Sequence, residues 1–359
     1  MTGMDRRLGW DVGGAHLKAA LFENGRLVGV WQEPSPLWRG LEHLDSALDR
    51  ILAATGAVQH HHLTMTGELA DIFQDRASGV RLLCERLAAR LGAGLRVHAG
   101  PGGLMSPADA ARHPALVGSA NWHASAAFVA LALDSALFID MGSTTTDIVP
   151  IAGRAVRNAG YTDSERLACG ELVYQGFTRT SLMAVARAVP FRGRMAPLMA
   201  EHFATMADAA RLAGHLDEED DQMATADGRD KTPAHSRARL ARMLGADAAD
   251  GSDEDWRAVA LALTEAQLRL VHDALSLVLS RGELAPDAPL VIAGTGRPLL
   301  RRLAQRLDRG VIEFADLADC RSGLREAASR AAPAVALACM GNVSYTHLRA
   351  HETREDLVC

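Results

Sequence analysis

The chain has 359 residues, of which 48% are hydrophobic and 23% are charged, and its formal net charge is −6. This length exceeds that of an ordinary single domain, so two domains are expected. The negative net charge argues against general nucleic-acid binding. No signal peptide and no apolar run long enough to span a bilayer is recognisable, which argues against a membrane partner.

The cysteines indicate a reducing compartment. They are odd in number, scattered and without C-x-x-C spacing, at Cys84, Cys169, Cys320, Cys339 and Cys359. This pattern favours buried or free thiols over zinc ligands or disulfides. We therefore expect a cytoplasmic protein.

The first part of the chain reads as strands followed by alternating helices and strands. Asn24-Gly25, between two apolar runs, predicts a hairpin turn within residues 7–31. Apolar spacing then predicts a helix over 41–55, a strand over 62–67, a helix over 78–91, a strand over 95–98 and a helix over 121–133. Together these elements predict an N-terminal domain over residues 1–134.

A second domain is predicted over residues 135–342, with a helical insertion. It begins with a strand, a turn and a strand over 136–151, and later helices are predicted over 195–213, 236–244, 256–280, 298–307 and 323–338. The polar stretch 217–231 lacks an apolar period and is typical of a solvated loop. Residues 343–359 change composition abruptly and are interpreted as a non-native tail that takes no part in function.

Three glycine turns each follow a short apolar run. They are DVGG at 11–14, DMGSTTTD at 140–147 and LVIAGTGRP at 290–298. Glycines let backbone N–H groups approach an anion, and carboxylates near phosphate suit a hydrated Mg²⁺. One Asp-Gly turn would be ordinary, because Asp and Gly are common turn residues. Two such turns and a late Gly-x-Gly, in this order, favour a phosphate-binding protein.

This trio resembles the actin, Hsp70 and sugar-kinase superfamily. The resemblance implies an α/β fold of two RNase H-like domains with an interdomain cleft. It also implies that Lys18, seven residues after Asp11, returns an ammonium group toward the bound phosphates. A solvated strand lysine is the alternative.

Further motifs resemble the hydantoinase/oxoprolinase-like branch, and within it the archaeal methanofuran-biosynthesis enzymes and related proteins linked to tetrahydromethanopterin-dependent one-carbon transfer. They are LTMTGELAD (63–71), GELVY (170–174), TADGR (225–229) and SRARLARM (236–243). The resemblance implies a transferase that joins 5-(aminomethyl)-3-furanmethanol diphosphate to the phenol of γ-glutamyltyramine. Diphosphate would be released and ATP would not be needed.

The resemblance also implies roles for individual residues. Mg²⁺ or its water shell is assigned to Asp11, Asp140 and Asp147, and diphosphate binding to Gly13, Gly14, Gly142, Ser143, Thr144 and Thr145. Lys18 is assigned to the leaving oxygen, and Glu68 or Glu171 to removal of the phenol proton. Substrate binding is assigned to Thr66, Gly67, Arg179, Arg229, Lys231, Gly294, Thr295 and Gly296. For each residue the alternative is a turn former or a surface side chain.

Rival functions remain open. Ala15-His16 stands where many kinases of the superfamily carry Thr or Ser, which weakens a kinase assignment. An ATP-dependent hydantoinase/oxoprolinase-like hydrolase and a small-molecule kinase are the enzyme alternatives. A nucleotide-gated binding protein like actin or Hsp70 is the alternative from another class. The expected partners are the small-molecule diphosphate and phenolic amine; the oligomeric state is left open, with a homodimer as one alternative.

Overall fold

The computed structural model describes residues 5–341 and confirms the α/β fold class within that range. The predicted tail 343–359 lies outside the described residues. Contacts divide the chain into two compact units: the first contains 5–136, 149–157 and 312–341, and the second contains 137–148 and 158–311. The sequence predicted contiguous domains, 1–134 and 135–342. Each compact unit is instead discontinuous along the chain, because residues 149–157 and 312–341 belong to the first unit.

The first unit contains a six-stranded sheet with the order β3-β2-β1-β4-β5-β6. Its strands are β1 (Arg6–Val12), β2 (His16–Glu23), β3 (Arg26–Pro34), β4 (His60–Met65), β5 (Leu95–His98) and β6 (Leu104–Met105). The first three strands pair antiparallel, whereas β4 runs parallel to both β1 and β5. The carboxyl ends of β1 and β4 therefore meet at one edge of the sheet.

Helices cover this sheet. The first five are α1 (Glu42–Thr55), α2 (Arg76–Leu91), α3 (Pro107–Arg112), α4 (Pro114–Val117) and α5 (Asn121–Ala132). Leu44 of α1 and Leu83 of α2 share a buried core with Leu8, Trp10 and Val12 of β1. Because side chains alternate along a strand, Asp11 points to the opposite face from these three residues.

The remaining strands form a second sheet and a separate hairpin. They are β7 (Ser135–Met141), β8 (Thr146–Ala152), β9 (Ala155–Val156), β10 (Leu172–Val173), β11 (Ala188–Phe191), β12 (Arg194–Pro197), β13 (Leu290–Ala293) and β14 (Val311–Glu313). The sheet order is β10-β8-β7-β13-β14, with β9 on β8, and β11 pairs only with β12. Since β13 runs parallel to β7 with Ala293 opposite Asp140, their carboxyl ends lie side by side.

Seven further helices complete the described chain. They are α6 (Asp163–Cys169), α7 (Met206–Ala213), α8 (Pro233–Met243), α9 (Asp253–Leu279), α10 (Arg297–Arg306), α11 (Arg325–Arg330) and α12 (Ala332–Met340). Helix α12 packs closely on β1, where a Cβ added at Gly9 would overlap the Ala334 carbonyl oxygen. No helix within residues 5–341 is long and apolar enough to cross a membrane.

Two predicted helices are wrong in extent. The helix predicted over 195–213 is replaced by β12, a loop and the shorter α7, because Arg192 and Gly193 adopt positive φ and close a hairpin. The helix predicted over 323–338 is divided into α11 and α12. Pro333 lies in the first turn of α12, where the missing proline N–H is tolerated.

Candidate functional site

The first glycine turn joins β1 to β2 and is closed by its own backbone. The Gly13 N–H donates to the His16 carbonyl at 3.0 Å. The Leu37 N–H donates to the Gly14 carbonyl at 2.9 Å, which fixes the outer side of the turn. A Cβ added at Gly14 would meet no atom within 4 Å, so the backbone there borders open space. Open space beside a glycine backbone is one condition for an anion-binding turn.

Asp11 and Lys18 lie on the same face of the sheet. They are directly paired between β1 and β2, and paired residues of antiparallel strands project to the same side. Asp11 is buried, at 6% exposure. The Lys18 ammonium donates to the Arg330 carbonyl at 3.1 Å. The lysine is therefore anchored beside Asp11. A solvated strand lysine was the alternative interpretation of the sequence.

The Thr66-Gly67-Glu68 segment packs against the first turn. A Cβ added at Gly67 would lie 3.1 Å from the Val12 carbonyl oxygen and 3.2 Å from that of Gly13. The Thr66 N–H donates to the Val12 carbonyl at 2.9 Å. The structure thus brings together these three residues and the first turn, at the joined carboxyl ends of β1 and β4.

Glu68 is fully buried and its carboxylate is engaged. The Ser119 hydroxyl donates to Glu68 Oε1 at 2.9 Å, and Arg76 Nε lies 3.8 Å from the same oxygen. Sequence reasoning missed both partners, which lie 51 and 8 residues away along the chain. No local pattern could have identified them.

The second glycine turn joins β7 to β8 and is held by the segment after β10. The Gly142 N–H donates to the Thr145 carbonyl, and the Phe177 N–H to the Gly142 carbonyl, each at 2.9 Å. The Arg179 N–H donates to the Ser143 carbonyl, also at 2.9 Å. A Cβ at Gly176 would overlap the Ser143–Thr144 peptide, so glycine is required there. The sequence singled out the turn but not Gly176.

Polar side chains on this turn are accessible. Ser143, Thr144 and Thr145 are half-buried, and the exposed Arg179 guanidinium donates to Thr144 Oγ1 at 3.2 Å. Hydroxyls beside a guanidinium suit a phosphate group. The structure therefore places Arg179, which the sequence assigned to substrate binding, at the second turn.

Asp147 is held by an arginine that the sequence did not single out. Arg166 Nη1 donates to Asp147 Oδ1 at 2.9 Å, and Arg166 Nη2 donates to the Glu171 carbonyl at 2.9 Å. Burial raises the pKa of Asp147, and the Arg166 charge opposes that shift. One oxygen of Asp147 is thus committed to Arg166, which is itself only 1% exposed.

The third glycine turn lies beside Asp140 within the second unit. Gly294 has φ +83°, and a Cβ there would overlap Asp140 Oδ1 and the Met141 carbonyl oxygen. The Gly296 N–H donates to the Met141 carbonyl at 2.8 Å, and Thr295 is half-buried. Asp140, the second turn and residues 294–296 are therefore brought together.

Glu171 supports the backbone near the second turn. Its buried carboxylate accepts from the Ala159 N–H at 2.6 Å, the Gly160 N–H at 3.1 Å and Arg281 Nη1 at 2.5 Å. Three donors already occupy this carboxylate, and the two backbone donors fix the loop before α6. Glu171 is therefore better suited to holding this loop in position than to acting as the general base that the sequence suggested.

Arg229 and Lys231 lie in the 217–231 segment, which is a mostly exposed or half-buried loop, as predicted, and which ion pairs also hold in place. Lys231 forms an ion pair of 3.4 Å with Asp221, and exposed Arg229 lies 3.8 Å from Asp227. Both carboxylates are also bound by buried arginines. Arg211 Nη2 lies 2.7 Å from Asp221, and Arg239 Nη1 lies 3.0 Å from Asp227. The segment is therefore tied to the protein interior by charge.

Loss of Arg239 should destabilise the protein strongly. Arg239 is 1% exposed and also binds buried Asp208 at 2.7 Å, so Arg239→Met would leave that carboxylate with only the more distant Arg211, at 3.7 Å, as a counter-charge. We expect a loss of about 3–5 kcal/mol in the free energy of unfolding, measured by urea denaturation. Arg237→Met, two residues earlier, removes an ion pair to exposed Asp253 and should cost less than about 1 kcal/mol. Equal losses would contradict this account.

Carboxylates lie near each of the first two glycine turns. Among residues 5–341 no group of three or more His, Cys, Asp or Glu is arranged to hold a metal. Asp11 lies beside the first turn, and Asp140 and Asp147 flank the second. Mg²⁺ commonly takes one or two carboxylates and fills its shell with water and phosphate oxygens. Each turn thus has a carboxylate of the kind that Mg²⁺ prefers, although Asp147 could offer only the oxygen that Arg166 Nη1 does not bind.

Comparison with known proteins places this chain in a family. It matches the hydantoinase/oxoprolinase family over residues 60–316. A relative from Methanocaldococcus jannaschii, named (4-{4-[2-(γ-L-glutamylamino)ethyl]phenoxymethyl}furan-2-yl)methanamine synthase, is 32% identical over 295 residues, which are 82% of this chain and 87% of the relative. A relative of the same name from Methanococcus vannielii is 30% identical over 186 residues, 51% of this chain and 82% of the relative.

A solved structure shows the same fold at low identity. The nucleotide-free structure of acetone carboxylase has a TM-score of 0.50 and 13% identity, over 82% of this chain and 66% of that chain. This likeness concerns the fold alone. The chain therefore belongs to the hydantoinase/oxoprolinase family and has the α/β fold of the actin, Hsp70 and sugar-kinase type.

Proposed function

We propose that this protein is a synthase of methanofuran-type cofactor biosynthesis. The observation that carries the proposal is the 32% identity to the methanamine synthase over most of both chains. The relative's product name contains a phenoxymethyl ether between a furan and γ-glutamyltyramine. Disconnecting that ether gives a phenol and a furan-methyl electrophile. We assign the electrophile as 5-(aminomethyl)-3-furanmethanol diphosphate.

The proposed reaction is a displacement at carbon. The phenol oxygen bonds to the furan-methyl carbon, the bond from that carbon to the diphosphate oxygen breaks, and the phenol loses its proton. The electron-rich furan ring stabilises positive charge at the carbon. Most of the catalytic benefit then comes from neutralising the departing oxygen.

The glycine turns would bind the diphosphate. Gly13 and Gly142 use their N–H groups to close the turns, so we assign phosphate contacts to the neighbouring N–H groups of Gly14, Ser143 and Thr144. The hydroxyls of Ser143, Thr144 and Thr145 would add further contacts. We assign Mg²⁺ or its water shell to Asp11 at the first turn and to Asp140 and Asp147 at the second turn, each turn taken by itself. When bound, Mg²⁺ supplies Lewis-acid neutralisation of phosphate charge.

Other residues would bind the rest of the substrates. Lys18 would contact the leaving diphosphate, and Arg179 at the second turn would contact phosphate. Thr66 and Gly67 would border the reacting groups because they pack on the first turn. We assign contacts with the furan or tyramine groups to Gly294, Thr295 and Gly296. We assign contacts with the glutamyl carboxylates to Arg229 and Lys231.

The family match favours one competing function. Hydantoinase/oxoprolinase is the name of the matched family, so ATP-dependent opening of a lactam or hydantoin ring is the second candidate. It differs from the synthase in requiring ATP and in making no ether.

One assay separates the two candidates. The full chain is incubated with Mg²⁺, the furan diphosphate and γ-glutamyltyramine, and ether and diphosphate are measured by mass spectrometry. The synthase should form both products in equal amounts without ATP, and no ether should form when either substrate is omitted. Absence of ether, together with ATP-dependent hydrolysis of 5-oxoproline or a hydantoin, would transfer the assignment to the hydrolase.

A further inference from the structure

Ser119 has an unusual backbone for its residue type. Its φ is +54°, in the left-handed region that favours glycine. Other non-glycine residues with positive φ in the described chain lie in hairpin turns, at Asn24, Arg154 and Arg192, or just after α10, at Asp308. Ser119 instead lies between α4 and α5. Strained residues of this kind are concentrated at functional sites.

The strain places the Ser119 hydroxyl on a buried carboxylate. Ser119 Oγ donates to Glu68 Oε1 at 2.9 Å, and a Cβ at the preceding Gly118 would lie 2.9 Å from the same oxygen. Glu68 is fully buried, whereas Ser119 is half-buried. Arg76, at 3.8 Å, compensates the buried charge. The hydroxyl thus connects a fully buried carboxylate with more accessible surroundings.

This pair lies next to the first glycine turn. Gly118 forms a parallel bridge to Met65 at the end of β4, and Glu68 follows three residues later. Gly67, between them, packs on the carbonyls of Val12 and Gly13. All of these residues belong to the first unit. Ser119 is therefore connected through Glu68 and Gly67 to the first glycine turn, which we assign to diphosphate binding.

We propose that Ser119 is a catalytic residue that relays the phenol proton to Glu68, an inference that rests on the proposed function. The Ser119 oxygen accepts the proton from the phenol hydroxyl while its own hydrogen passes to Glu68 Oε1. The phenol oxygen bonds to the furan-methyl carbon as the bond to diphosphate breaks. Glu68 gains one proton, the phenol loses one, and the serine is unchanged. The proton then leaves to water by the reverse route after product release.

The decisive variant is Ser119→Gly. Glycine accepts φ +54° without strain, which offsets part of the stability lost with the hydrogen bond to Glu68, so the fold should be retained, as thermal denaturation checks. We expect kcat for ether formation to fall by about 100-fold, the lower range for losing general-base assistance. Asn24→Gly is the matched control, because Asn24 also has positive φ (+48°) but lies in the exposed turn between β2 and β3. Its kcat should not change.

A more acidic phenol separates a proton relay from a structural role. With γ-glutamyl-3,5-difluorotyramine the phenol ionises more readily, so the deficit of Ser119→Gly should shrink to less than about 10-fold. Glu68→Gln, which cannot take the proton, should show the same rescue. A kcat for Ser119→Gly within twofold of wild type, or an equal deficit with both phenols, overturns the relay and leaves the synthase assignment standing. Absence of ether with the wild-type chain overturns both.

Discussion

Replacing Asp11 by Asn should reduce ether formation by at least about 100-fold while leaving the fold intact. Asp11 is buried beside the first glycine turn and opposite Lys18, and Asn has the same shape without the charge. In our proposal that charge holds Mg²⁺ against the diphosphate. The variant should therefore lose Mg²⁺-dependent binding of inorganic diphosphate, measured by calorimetry, as well as turnover.

The control for this change is Asp49→Asn, at an exposed position of helix α1. The Asp49 side chain is 66% exposed, and its ion pair with Arg90 lies at the surface, so activity and Mg²⁺ dependence should match wild type. Wild-type kcat in the Asp11 variant would exclude its assigned role in metal binding. Urea denaturation of both variants verifies that the fold is retained.

Asp147→Asn gives a less direct test because of Arg166. Removing the Asp147 charge would leave the buried Arg166 guanidinium without its 2.9 Å counter-ion. A loss of activity in that variant would combine a catalytic effect with a loss of stability. Asp11 therefore gives the cleaner measure of what the carboxylates contribute.

Elements with strong local signals were predictable from the sequence. The strand at 95–98 and helices α1, α2 and α5 agree with their apolar spacing to within two residues at each end. The hairpin between β11 and β12 was missed, because Arg192-Gly193 is a less obvious turn pair than Asn24-Gly25. The predicted helix began at 195, directly after that turn, so residues of β12, a loop and α7 were assigned to one helix.

The candidate site was predictable where its chemistry is local. Each glycine turn is a continuous stretch of sequence that is easily recognised. The aspartates near the first two turns are visible in the same stretches. The pairs Glu68–Ser119 and Asp147–Arg166 are different, because each joins residues that only tertiary folding brings together. The buried arginines that bind Asp221 and Asp227 are of the same kind, because they belong to α7 and α8 and not to the loop itself.

Replacing Lys18 by Ala should lower kcat more than it raises KM, with a loss in kcat of about 10- to 100-fold. The ammonium has three donors, and one of them binds the Arg330 carbonyl, so the others are suited to the leaving oxygen. Charge on that oxygen is greatest in the transition state, and an interaction that strengthens there changes kcat. The Lys18–Arg330 bond itself should contribute only about 1 kcal/mol to stability, which thermal denaturation checks.

Isotope labelling tests whether the leaving oxygen gains its charge by cleavage of its bond to the furan-methyl carbon. Furan substrate with ¹⁸O in the bridging C–O position should release diphosphate that retains the label, because the carbon–oxygen bond breaks. Lys18→Arg, which keeps a positive charge, should recover part of kcat. Label left on a furan alcohol would mean that the phosphorus–oxygen bond breaks, and a larger effect of Lys18→Ala on KM than on kcat would mean ground-state binding only. Either result would remove the assigned role of Lys18 in stabilising the departing oxygen.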